Sequence, residues 1–142
     1  MSTAINDQNT TFARDSILAK IISDLMMLDR DVFAVAILDY SGALKAFSSK
    51  PFFSKENRKE SGTWKKIALR NAALVKLANQ DEHEANPATG IVLFRNEYKQ
   101  ILINIHSKKI IIEAIMPLWN HSAVFFEAVH KYFSSRKSEI SR

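Results

Sequence analysis

"VAILDYSGALKAF", residues Val35–Phe47, decides the fold, because two apolar runs are held apart by Asp39-Tyr40-Ser41-Gly42. Asp and Ser side chains bond nearby backbone amides and Gly tolerates positive φ, so this stretch is a turn between two antiparallel strands. The first run, Val32 to Leu38, is rich in β-branched residues and apolar on both parities. A strand of that kind is covered on both faces and lies centrally in its sheet. Ala43 to Phe47 is its partner. A covered strand leaves no open mouth for chemistry, so the hairpin is structural.

Upstream, Leu18, Ile21, Ile22, Leu25, Met26 and Leu28 recur at three- and four-residue intervals, as one buried stripe on a helix requires. This helix is expected from Phe12 and ends at Asp29-Arg30-Asp31; residues 1–11 are polar, without period, and read as a flexible lead. Downstream, Ser48 to Gly62 carries Pro51, serines and mixed charge, a loop of unusual length. Ser61 or Thr63 then caps a helix with the inner face Trp64, Ile67, Ala68, Asn71, Leu74, Val75 and Ala78, closing near Asn79 before Asp81, Glu82 and Glu84. Three apolar runs follow, Gly90 to Arg95, Lys99 to His106 and Lys109 to Met116, joined by short polar links into an antiparallel meander. After Pro117, a last helix presents Val124, Phe125, Ala128, Val129, Tyr132 and Phe133. Residues 137–142 form a frayed tail. The expected fold is thus α+β, one five-stranded antiparallel sheet in the order α-β-β-α-β-β-β-α, with residues 12–136 as a single domain.

Size and composition agree with one domain: 142 residues, 46% apolar, 25% charged, and three residues each of Gly and Pro. The absence of cysteine removes disulfides, thiolate nucleophiles and cysteine-rich zinc or iron–sulfur sites. Neither a secretory leader nor a membrane-spanning run is legible, which reads as a cytoplasmic protein with no membrane partner. The formal charge of +5 is unevenly placed. Residues 1–31 are net acidic, whereas Lys50 to Lys66 is strongly basic.

Chemical signatures are weak. His83, His106, His121 and His130 include no pair on one helical turn, and surface histidines beside an acidic loop outweigh a metal site. No Gly-x-Ser-x-Gly and no Gly-rich phosphate loop occurs. Asp39 and Glu113 lie on strands that can be neighbours, but Glu113 reads better as a solvent-facing strand residue than as half of a catalytic pair. Trp64, Trp119 and Tyr132 are expected in the core or at its rim. No catalytic residue, metal or cofactor is assigned. The candidate site is a partner-binding one: Lys55, Arg58, Lys59, Trp64, Lys65, Lys66 and Arg70, around the entry to the middle helix, with Phe52 and Phe53 interleaved. Such a surface suits an acidic protein or, as an alternative, a nucleic acid.

The first helix, "VFAVAILDYSGALKAFSS" and the later segments "GIVLFRNEYKQILINI" and "KIIIEAIMPL" before the closing helix together resemble the roadblock/dynein-light-chain family and its profilin-like fold relatives, over residues 12–136. The layout is also similar to that of small archaeal proteins of unknown function. The resemblance implies the first and last helices on one face of the sheet and the middle helix on the other. It implies a module without an active site that dimerises through the middle helix (here Thr63 to Asn79) and an edge strand (Gly90 to Arg95), and that serves small GTPases or motors as a platform or regulator. The Ser48–Gly62 loop is longer and more basic than such a domain requires. A helix and loop over an antiparallel sheet is also the plan of PAS-type sensors, whose marker would be an enclosed cavity with convergent polar groups such as Asn71, Asn104 and His106. The expected role is a homodimeric, non-enzymatic protein-interaction module.

Overall fold

The run Val32 to Leu38, apolar on both parities, needs neighbours on every side, and the computed structural model gives it them. It describes residues 9–51, 70–76 and 89–135. The elements are β1 (Thr10–Ala13), α1 (Ser16–Met27), β2 (Ala34–Asp39), β3 (Leu44–Ser49), α2 (70–76), β4 (Gly90–Phe94), β5 (Lys99–Ile105), β6 (Ile110–Met116) and α3 (Ser122–Ser135). The sheet is antiparallel with the order β1-β3-β2-β6-β5-β4. Strands β2 and β6, buried along nearly their whole length, lie side by side at its centre.

The hairpin forms as the sequence requires. Asp39 accepts hydrogen bonds from the Ser41 amide (2.9 Å), the Ser41 hydroxyl (2.6 Å) and the Ala43 amide (3.0 Å), while Gly42 takes φ 92°. Burial opposes the Asp39 charge, yet these bonds, with Lys45 nearby, hold its carboxyl below the usual range. A register shift after Ile37 brings Leu38 opposite Leu44, so Leu44 returns to the same face of the sheet as Leu38.

The sheet has six strands, not five. Thr10 and Thr11, expected in the lead, and Phe12 and Ala13, expected in the first helix, form β1 along the outer side of β3, with Thr11 Oγ1 2.9 Å from Ser48 Oγ and the Phe12 and Phe47 rings 6.0 Å apart. A short strand at a sheet edge keeps most of its residues in solvent, so no apolar period marks it. The helix begins instead at Ser16, where the Asp15 carboxylate accepts from the Leu18 amide at 2.8 Å. Residues 1–8, 52–69, 77–88 and 136–142, which include most of the expected long loop, both ends of the expected middle helix, His83 and the tail, lie outside the described residues.

Alternation assigns each strand residue to one of two layers. Ile37, Ile101, Ile103, Ile112 and Ala114 join Ile21, Ile22 and Leu25 of α1 and Phe125, Val129 and Phe133 of α3 in one core. Ala36, Leu38, Leu44, Leu102 and Ile111 form a second core with Ala72 and Val75 of α2 on the opposite face. Helices α1 and α3 are tied by the Tyr132 hydroxyl donating to Asp24 at 2.8 Å, and Asn120 donates to Asp29 at 3.1 Å. Trp119, expected in the core or at its rim, is instead 68% exposed in the turn between β6 and α3.

Ile112 is fully buried at the centre of the larger core and Met27 is exposed at the end of α1. Urea unfolding should therefore find Ile112→Ala less stable by about 2–5 kcal/mol and Met27→Ala changed by about 0.5 kcal/mol or less.

Candidate functional site

The described turns of α2 bury Asn71, Ala72 and Val75 against the sheet and leave Arg70, Ala73 and Lys76 in solvent. Below this helix the β6 alternation places Glu113 on the same face as Ile111 and Ile115. The expectation of a solvent-facing Glu113 is overturned: it is 1% exposed. Its strand is central and α2 seals this face, so the pleat directs the carboxylate inward. Asn71 donates to one carboxylate oxygen at 2.9 Å and Gln100 to the other at 2.7 Å, while Arg95 Nε donates to the Gln100 amide oxygen at 3.1 Å. Burial pushes the Glu113 carboxyl up to about 7, against the opposing pull of those two amides and of Arg95 and Arg70.

This cluster ties the middle helix to the sheet, and it does not bring Asp39 and Glu113 together. Asp39, the other carboxylate considered, is opposite Ile110, whereas Glu113 is opposite Ala36. Asn104 accepts from the Tyr40 hydroxyl at 2.5 Å, and His106 Nδ1 is 3.4 Å from that hydroxyl. Asn71, Asn104 and His106 are thus bound to protein groups rather than aimed together into one cavity. Among the described residues no group of three or more His, Asp or Glu side chains can hold a metal ion, and no helix is long and apolar enough to cross a membrane.

Of the basic candidates, Arg70 lies exposed on α2. Lys55, Arg58, Lys59, Trp64, Lys65 and Lys66 lie outside the described residues. What the structure adds is the edge beside α2. Strand β4 pairs with β5 and, among the described residues, with nothing else. The Asn104 amide donates to the Thr89 carbonyl at 2.9 Å and the Arg95 amide to the Tyr98 carbonyl at 2.8 Å. These two bonds fix the parity of the antiparallel ladder: Ile91 and Leu93 turn their amides and carbonyls toward β5, and Gly90, Val92 and Phe94 turn theirs outward. Within Gly90–Phe94 there is no charged residue, proline or bulge to guard this edge. Val92 is 42% and Phe94 72% exposed. Their exposure could not be read from "GIVLF", since a continuous apolar run signals burial until the strand is known to lie at an edge.

Neither a protein-family model nor a curated protein matches the sequence. Solved structures match the fold. The Roadblock/LC7 domain from Streptomyces avermitilis superposes with a TM-score of 0.65 at 12% identity, covering 86% of this chain and 98% of that one. Myxococcus xanthus MglB gives 0.59 at 14% identity, over 82% and 96% of the two chains. An MglB with a tetrameric arrangement gives 0.55 at 8%, over 87% and 85%. The chain therefore has the α+β fold of roadblock domains, as its element order implied.

The buried carboxylate gives a signed pH dependence. Its folded value near 7 exceeds the ordinary 4.5, so the folded state holds the proton more tightly. The stability contributed is full below about pH 4.5 and lost as pH rises to 7. Denaturation at pH 4.5 and pH 8 should show a loss with rising pH on the order of 3 kcal/mol in the native chain relative to Glu113→Gln, which keeps a neutral side chain at both.

Proposed function

We propose that this chain is a non-enzymatic interaction module of roadblock type, acting in the cytoplasm as a homodimer that serves a partner protein as scaffold or regulator. The observation that carries the reading is the β4 edge, a row of outward backbone donors and acceptors flanked by exposed apolar side chains, with no charged residue within Gly90–Phe94. A second copy satisfies such an edge by continuing the sheet. The neighbouring α2 extends the surface, as the family resemblance implies, and a tetrameric arrangement is described for one MglB of the same fold.

The partner surface is the solvent side of α2, where Arg70 and Lys76 are exposed, together with the basic run Lys55, Arg58, Lys59, Trp64, Lys65 and Lys66. Its charge favours an acidic partner. Small GTPases are the class that the roadblock resemblance suggests. Replacing Lys65, Lys66 and Arg70 by glutamate should abolish partner capture in a pull-down, with light scattering on the same variant reporting the dimer separately.

Dimerisation is the direct test, read by light scattering at tens of micromolar. The native chain should be a dimer. Val92→Pro should be a folded monomer by circular dichroism, because the Val92 amide faces outward and its loss spares the bonds to β5. A monomeric native chain at that concentration would overturn the reading.

A further inference from the structure

The buried Glu113 cluster is connected to the surface through Arg95. Ile91 packs into the core under α2, so strand alternation puts Leu93 and Arg95 on that same face, and Leu93 lies opposite Gln100. Arg95, just past the end of β4, is exposed, yet its Nε is held by the Gln100 amide oxygen at 3.1 Å. A guanidinium fixed through Nε turns its two terminal nitrogens away from that contact, the edge that takes a carboxylate in two parallel hydrogen bonds. On α2, exposed Arg70 directly precedes Asn71, whose amide donates to the same buried carboxylate, so a second guanidinium stands on the helix side of the cluster. Both arginines pull on Glu113. Among the described residues the ion pair formed is Lys20–Asp24, and neither Arg70 nor Arg95 is ion-paired.

We propose that Arg70 and Arg95 form a clamp for a carboxylate side chain of an acidic protein partner, and that Glu113 beneath them couples this binding to the uptake of a proton. This rests on the partner surface proposed above and names its central contact. The groups around Glu113 are few: β2 sets Ala36 opposite it and β5 sets Leu102, α2 contributes Asn71 and Arg70, and Gln100 and Arg95 complete the surround. Among the described residues the charges that act on it are thus the two arginines. An ionised Glu113 draws on both guanidiniums and opposes a second carboxylate placed over them, whereas a neutral Glu113 leaves both to the partner. The effect is reciprocal. A carboxylate bound to the arginines cancels their pull on the ionised form, and the buried group takes up a proton as the complex forms. The hydrogen bonds leave one place for that proton. The Gln100 oxygen is occupied by Arg95, so the proton settles on the carboxylate oxygen facing Asn71, whose amide turns to accept it. Since burial already brings Glu113 to titrate near 7, affinity is highest on the acid side and falls as pH rises through neutrality.

Titration calorimetry of the full chain at low salt, with an end-blocked peptide of four glutamates as the probe, tests the clamp. The native chain should bind the peptide at pH 6 and at least about fivefold more weakly at pH 8, and near pH 7 two buffers of different ionisation enthalpy should show a net proton taken up on binding. Glu113→Gln, uncharged throughout, should lose that uptake and the larger part of the pH dependence; the histidines titrate alike in both chains, so the difference between them belongs to Glu113. Arg70→Gln and Arg95→Gln should each weaken binding at pH 6 about tenfold with circular dichroism unchanged, while Lys76→Gln, also on the exposed side of α2, should change it by about twofold or less. Equal pH dependence in the native chain and Glu113→Gln overturns the coupling. Arginine substitutions that cost no more than Lys76→Gln overturn the clamp and leave the acidic-partner reading, which draws on the whole basic surface, in place. A peptide that binds at neither pH overturns both.

Discussion

The structure depends on one constraint: β2 and β6 are greasy on both sides and must be sealed on both. Burying a single Ile or Leu side chain contributes about 1.5–3 kcal/mol, and in these two strands nearly every residue is buried. A sheet whose centre is built this way cannot place all its helices on one side. Helices α1 and α3 cover one face and α2 the other, and the chain order follows, with α2 inserted between the hairpin and the meander. Sealing also explains why the residues of these two strands are buried whichever way they point.

The two margins are treated differently. On one side β1 lies along β3 and carries the Thr11–Ser48 and Phe12–Phe47 contacts to the end of the sheet. On the other, β4 ends the sheet with exposed Val92 and Phe94. The buried Glu113, held by Asn71 and Gln100, fixes the position of α2 relative to β5, the strand that carries this margin. A polar contact at the centre of an apolar layer opposes burial with hydrogen bonds and specifies one helix position over others that would bury equal apolar area. The proposed partner surface and the proposed dimer edge are thereby held in one geometry.

Much of this was legible in the residues. The hairpin shows in Asp39–Gly42, α1 in the spacing of Leu18 through Met26, and the meander in the two-residue alternation of Ile101 to Ile105 and Ile110 to Met116. What was hidden depended on neighbours distant in the chain. Thr10–Ala13 is a strand because β3 offers it an edge, and its exposed residues leave no periodic trace. Glu113 shares the alternation of any half-exposed strand, and its burial follows from α2 lying above it. Val92 and Phe94 belong to a continuous apolar run, and are exposed because, among the described residues, no strand pairs with the outer side of β4. Trp119 reads as core for its size and sits instead on a turn. Periodicity tells which residues share a face; it does not tell whether that face is covered.

The central claim is that the outward side of β4 is a pairing edge for a second copy. Amide hydrogen exchange followed residue by residue across a dilution series tests it most directly. Ile91 and Leu93, bonded to β5, should be protected at every concentration, while Val92 and Phe94 should exchange quickly in dilute samples and slow as concentration rises. Val92 and Phe94 amides that remain fast up to the highest concentration would contradict the account.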